Sequence, residues 1–333
     1  MSSTREESNT ERHYLRNYYA RALTHWGVVL QRAGSLTNAA PAFQLALRLN
    51  PNSDQARANL EFNAELGALN AGKSLTVPDF NQLPPLRSGF KTWDDLLLMN
   101  GPFDSPVFTA QISQVFSQGG NYRQSLAELQ RLHTLFPTNQ VIKLWRGYVQ
   151  GMARFGAGDA EGSERDLVQL RDEFPDKSLP HFALSQFYLA RGDFDKALPE
   201  VEKQLTLNPT DRDALLNTAV IAMAKKDYAK VIGVMDRLLG TLPDYPPALM
   251  NRAIANLQLG NLDAAERDYN ALLKPLPKMH TVQYGLAEVA ARRNDIPAAI
   301  RHWERYLETA PKGTGEFQTV EKRLAEANGG QTR

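Results

Sequence analysis

Residues 176–209 read DKSLPHFALSQFYLARGDFDKALPEVEKQLTLNP. Apolar residues recur at helical spacing, break at Gly192-Asp193-Phe194, resume, and stop at Pro209. A proline after such a run ends a helix, because its ring fixes φ and it has no N–H to donate. The stretch is therefore a helix-turn-helix unit closed by a proline. Prolines also stand at 175, 243, 277 and 311, so five in a row are spaced by 34 residues. A unit repeating at that period predicts a stacked array, in which each hairpin buries its apolar face against its neighbours.

Pro51 and Pro137 close two further units of the same kind. Twelve residues before the seven prolines stand Ala39, Ser125, Ser163, Ala197, Val231, Ala265 and Ala299; eight before them stand Phe43, Leu129, Leu167, Val201, Met235, Tyr269 and Trp303. The first helix of each unit carries Gly27, Ser113, Gly147, Ser185, Ala219, Ala253 and Ala287 at its eighth position. Two antiparallel helices approach closely only where a side chain is small, and the adjacent large one fills the groove. Gly34, Gly120, Gly192 and Gly260 stand between the helices, where a left-handed cap is needed; the fourth turn offers only Lys226-Asp227.

These residues resemble the tetratricopeptide-repeat (TPR) family over about residues 20–53 and 106–313. The resemblance implies an all-α, right-handed solenoid of about seven helix pairs. Phe317, Val320 and Leu324 predict a C-terminal capping helix over the apolar end of the array. The step from Pro137 to Pro175 exceeds the period by four residues, an excess assigned to the glycine-rich loop Arg154–Gly162. The expected organisation is 1–72 for an N-terminal helix, first repeat and covering helix, 73–104 for an insert, 105–313 for six repeats, and 314–333 for the cap and tail. Asp54–Leu69 is read as an amphipathic helix, Val77–Phe90 as extended, and Thr92–Asn100 as a short helix. Ser105-Pro106 reads as a cap followed by proline at the first helical position.

Composition narrows the function. Lys plus Arg number 38 against 37 Asp plus Glu, which leaves no footprint for nucleic acid or an anionic membrane. With no cysteine there is no disulfide, thiolate nucleophile or Cys-ligated zinc, although cytoplasm and periplasm remain equally open. No apolar run is long enough to span a bilayer, and the polar start has no signal-peptide core, so no direct membrane insertion is expected.

Gly67-Ala-Leu-Asn-Ala-Gly72-Lys73-Ser74 matches the phosphate-loop spacing, but such a loop joins a buried strand to a helix N-terminus, and a helix precedes it here. Gly156, Gly158 and Gly162 join two helices and read as a turn. His13, His25, His133, His181, His280 and His302 never pair at metal-ligand spacing. No nucleophile elbow is present. The reading is a non-enzyme without metal or cofactor.

The resemblance implies where a partner would lie, because in TPR arrays defined positions of the first helices face the groove. Those positions hold Leu144, Trp145, Tyr148, Met152, Leu179, Phe182, Gln186 and Leu189, then Leu216, Asn217, Val220, Met223, Met250, Asn251 and Ile254. The map is apolar with a few amides and implies a protein or peptide partner. Asn217 and Asn251 stand where TPR proteins bond a bound backbone. Acidic chaperone tails are not expected, since the clamp positions carry Pro247, Asn251, Thr281 and Gly285 instead of Lys or Arg. The insert around Leu83–Phe90 is a rival occupant, tethered at high local concentration. Residues 18–63 also resemble TPR tails of bacterial glycosyltransferase-like membrane proteins, implying as an alternative an accessory region of an envelope system.

Overall fold

The computed structural model describes residues 3–69, 73–80 and 102–330. Every regular element among them is a helix. The expected helix at Thr92–Asn100, the segment around Leu83–Phe90, and Gly72 lie outside the described residues. The chain divides into two compact units, residues 1–170 and 171–333.

The first unit contains α1 (Ser3–Arg32), α2 (Leu36–Leu49), α3 (Asp54–Leu69), α4 (Pro106–Gln118), α5 (Tyr122–Leu135) and α6 (Gln140–Gly156), with most of α7 (Ala160–Glu173). Helices α1 and α2 form one hairpin and α4 and α5 another, and α3 packs on α2 and α1. The other side of α3 is not left open: Ala58 joins a cluster made by Phe103 with Ile112 and Phe116 of α4. The expected covering helix thus also links the first repeat to the second.

The second unit contains α8 (Ser178–Ala190), α9 (Phe194–Leu207), α10 (Arg212–Ala224), α11 (Tyr228–Thr241), α12 (Pro246–Leu259), α13 (Leu262–Leu273), α14 (His280–Arg292), α15 (Ile296–Thr309) and α16 (Gly315–Gly330). Each helix packs on the next, and the first helices of successive pairs, α8, α10, α12 and α14, also touch in turn. Helix α16 buries Phe317 and Val320 against Trp303 and Tyr306, the end cap expected from their spacing.

The small-large pattern explains the close packing. All seven residues at this position of the second helices, six of them Ala or Ser and the seventh Val231, are fully buried, as are Phe43, Leu167, Val201 and Met235 beside them. A Cβ on Gly27 would lie 2.4 Å from the Phe43 ring, and one on Gly147 would lie 2.5 Å from Leu170. At Ser125 the hydroxyl is satisfied by backbone, its Oγ donating to the Ser113 carbonyl at 2.7 Å across the α4–α5 hairpin, whereas the buried Ser163 Oγ has no partner.

The four extra residues of the third repeat are not in a loop. Helix α6 runs 17 residues where α8 and α10 run 13, and only Ala157–Asp159 separate it from α7. Four residues are close to one helical turn, so lengthening the helix preserves the buried face without loop closure. Asp159 then caps α7, its Oδ1 accepting from the Gly162 N–H at 2.9 Å.

The turns behave as their glycines require, with φ near +80° at Gly34, Gly192 and Gly260. At the two turns without glycine, Lys226 and Asn294 themselves adopt φ +58° and +60°. Left-handed backbone costs a residue with a Cβ about 1 kcal/mol. Lys226→Gly is therefore expected to stabilise the second unit by about 0.5–1 kcal/mol, raising its thermal midpoint by about 2–3 °C. An unchanged or lower midpoint would show that neighbouring contacts already absorb the strain.

Candidate functional site

The fifteen groove positions fall in both units. In the first unit, α6 carries Leu144, Trp145, Tyr148 and Met152. Tyr148 is buried and the other three are half-buried. An aromatic ladder runs across them: Trp145 and Tyr148 meet edge to face at 6.0 Å, and Tyr148 meets Tyr122 of α5 at 6.2 Å. Burial first, and then the neighbouring Tyr122 hydroxyl, push the Tyr148 phenol well above its ordinary range, so it is neutral at any physiological pH. The outer end of the ladder is Phe80, from the insert, stacked on Trp145 with centroids 6.0 Å apart and planes at 15°.

In the second unit, Leu179, Phe182, Gln186 and Leu189 lie on α8, Leu216, Asn217, Val220 and Met223 on α10, and Met250, Asn251 and Ile254 on α12. Nine of these eleven are half-buried, which places them at the margin of the core rather than inside it or free of it. Leu216, Met223 and Met250 lean on the core that contains Met235 and Leu249. Val220 is 45% exposed, whereas Asn217 is only 8% exposed and its Nδ2 amide has no acceptor. A buried amide donor without a partner is costly, about 1–3 kcal/mol, and calls for an explanation.

His181 has a local role. His181 is buried; its Nδ1 lies 2.6 Å from Glu200 Oε2 and its Nε2 lies 3.0 Å from the Pro175 carbonyl oxygen. With an acceptor at both ring nitrogens, the imidazolium form satisfies the site. Burial alone would lower the His181 pKa, but the Glu200 hydrogen bond and the Pro175 carbonyl outweigh it and the pKa is raised above 6.5. Burial likewise acts to raise Glu200, but His181 and Arg171 overcome it and hold its pKa below 4.5. His181 therefore contributes stability below about pH 6.5 that is lost as pH rises through its folded pKa. Glu200 contributes above about pH 4.5, and this is lost as pH falls through its folded pKa. The pair is expected to stabilise most between these limits. Thermal midpoints measured across pH 4–9 should fall on the alkaline side, and His181→Gln should flatten that limb; an unchanged slope would place the titration elsewhere.

One cluster was not legible in the sequence. Asp104, at the return of the insert, is fully buried. Its Oδ2 accepts from Gln31 Nε2 at 2.9 Å and Arg131 Nη2 at 2.7 Å; its Oδ1 accepts from Arg32 Nε at 2.7 Å and Arg131 Nε at 2.9 Å. Its N–H donates to Asn59 Oδ1 at 2.8 Å, and Asn59 Nδ2 donates to the Pro102 carbonyl at 2.8 Å. One carboxylate thus ties α1 to α5, while Asn59 of α3 grips the adjoining backbone. This is a structural bolt, and its partners are far apart in sequence. A second feature the sequence reading passed over is on α1, where Leu15, Tyr18, Tyr19, Trp26 and Val29 are exposed at helical spacing on one face.

The phosphate-loop match falls at the wrong end of a helix. Gly67 and Leu69 belong to the last turn of α3, and the Lys73 N–H donates back to the Ala68 carbonyl, so the turn presents carbonyls where a phosphate needs N–H groups. Among the described residues no group of three or more His, Asp or Glu is placed to hold a metal, and no helix is long and apolar enough to cross a membrane.

Helix pairs of this repeat length, with small-large packing and an end cap, define the all-α solenoid class of tetratricopeptide repeats. Comparison with known families agrees: one tetratricopeptide-repeat profile matches residues 148–211 and 248–314, and a second matches residues 188–255. The chain carries tetratricopeptide repeats. No curated protein matches it. Among solved structures, PilW, described as a widely conserved type IV pilus biogenesis factor, is 17% identical with a TM-score of 0.51, the match covering 58% of this chain and 88% of PilW. The APC/C hetero-tetramer Cut9–Hcn1 is 15% identical with a TM-score of 0.53, the match covering 91% of this chain and 54% of that one. At these identities the likeness is one of fold. The likeness of residues 18–63 to tails of glycosyltransferase-like membrane proteins gains no support from these matches.

Proposed function

We propose that the chain is a non-catalytic scaffold that holds an extended or helical segment of another protein on the face of its first helices. The observation that carries this is Asn217. Its side-chain amide is buried, has no partner, and stands on the α10 face beside the exposed Val220 and the half-buried Leu216. Turned out toward that face, the amide would donate to the carbonyl of a bound peptide, and the apolar neighbours would cover the peptide's side chains. Preformed repeats lose little entropy on binding, so the ordering cost falls on the peptide. The wall has amides but no clustered cations, so the partner chemistry is apolar and backbone-directed rather than acidic.

The test is selection of 12-residue peptides displayed on phage against the intact chain, followed by titration of the selected sequences with Asn217→Ala and Val220→Lys variants. Binding weakened by about tenfold or more in both, with unchanged helical content, supports the site. Peptides that bind both variants as well as the parent chain place the binding surface elsewhere, and a selection that yields no binder overturns the reading.

A further inference from the structure

Among the described residues of the insert, Phe80 packs on Trp145, one of the expected groove positions. Its side chain is 6% exposed and stacks on Trp145, the groove position next to it in the aromatic ladder. Its carbonyl accepts a hydrogen bond from Gln114 Nε2 of α4 at 2.9 Å, 34 residues away in sequence. Burial alternates before it: Pro78 is buried, Val77 and Asp79 are exposed, and residues 73–79 are neither helix nor strand. An extended chain sends successive side chains to opposite sides, so Pro78 and Phe80 face the helices while Val77 and Asp79 face solvent. Upstream, Lys73, Ser74, Leu75 and Thr76 line a cavity of about 410 Å³ beside Glu65 of α3.

This is how a solenoid would hold a foreign peptide: an aromatic ring laid on a tryptophan, a backbone carbonyl taken by a side-chain amide, and a proline that keeps the chain extended. We propose that Trp145 and Gln114 form a binding site for an extended Pro-x-aromatic peptide, and that Phe80 occupies it in cis until such a peptide displaces it. The inference rests on the scaffold reading but concerns the first unit alone, with residues distinct from Asn217. A tethered occupant competes at an effective concentration of the order of millimolar, so it would weaken binding in trans by about 10- to 100-fold while leaving the site intact.

The experiment measures fluorescence anisotropy of a labelled, end-blocked peptide of sequence SLTVPDF, residues 74–80, against the intact chain and its Phe80→Ala variant. The expected result is binding at least tenfold tighter to Phe80→Ala than to the parent chain, lost when the peptide ends in Ala instead of Phe, and lost again when Trp145→Ala or Gln114→Ala is added. Circular dichroism of each variant shows whether the helices persist. If Phe80→Ala stays folded and does not bind the peptide, or binds it regardless of Trp145, the proposal is overturned. If Phe80→Ala unfolds, Phe80→Leu takes its place as a weaker plug. Unfolding of that variant too would make Phe80 part of the core and overturn the proposal. Failure here with success at Asn217 would leave the scaffold reading standing.

Discussion

Asp104→Ala is expected to destabilise the first unit by about 3–5 kcal/mol and lower its thermal midpoint by about 6–15 °C. The carboxylate is fully buried and takes four hydrogen bonds from Gln31, Arg32 and Arg131. Removing it leaves the Arg131 guanidinium, only 13% exposed, without its counter-charge and strands donors on two helices. Asp104→Asn should recover little, because it keeps the shape but removes the charge. By contrast, deleting the surface pair Lys225–Asp195, whose aspartate side chain is 94% exposed, should leave the midpoint of its unit unchanged. Thermal unfolding of the intact chain, followed by circular dichroism, makes the comparison. A loss below about 1 kcal/mol for Asp104→Ala would show that solvent or a rearranged side chain reaches the arginines, and that the bolt is not one.

The second large effect is expected at the first hairpin, where the effect of one substitution changes sign with its background. In the parent chain Gly27→Ala gains about 1 kcal/mol of helix propensity, but its Cβ would lie 2.4 Å from the Phe43 ring, which is fully buried and has nowhere to go. Overpacking of this kind costs about 1–3 kcal/mol, so the net change should be destabilising by up to about 2 kcal/mol. Phe43→Ala alone opens a cavity at a fully buried position and should cost about 3–5 kcal/mol. In that background Gly27→Ala no longer meets a ring, fills part of the space, and should stabilise by about 1 kcal/mol. A full double-mutant cycle by urea unfolding measures the coupling. Additive effects would mean that the helices of this hairpin separate freely to admit a methyl group, and that close approach is not what glycine secures there.

Much of the fold was readable because its information is local and repeated. Helix ends were written in Pro51, Pro209 and Pro311, and the hairpins in pairs such as Ala197 with Val201 and Ala299 with Trp303. Helices α3 and α16 followed from spacing alone, as did the start of α4 after Ser105. The four-residue excess was visible as a count but was assigned to the loop at Arg154–Gly162, whereas α6 absorbed it as an added turn. Both placements keep the hairpin intact, so the pattern could not separate them; the helix gains backbone hydrogen bonds that a longer loop does not. Groove positions were nameable from the period, but their exposure was not. Tyr148 and Asn217 are buried and Val220 is open, a difference made by neighbouring helices.

Sequence by itself determined the class of the protein: the repeat period, the helix pairs, the small-large contacts and the end cap, all set by side chains within one repeat length of each other. Tertiary structure decided what joins the interrupted first repeat to the second, and what covers Trp145. Asp104 meets Gln31 from 73 residues away and Phe80 meets Gln114 from 34, and neither pair belongs to the repeat pattern. Such contacts leave no periodic trace, because a buried charge or a stacked ring needs its partner only in space, and the chain brings that partner close only after the hairpins have packed.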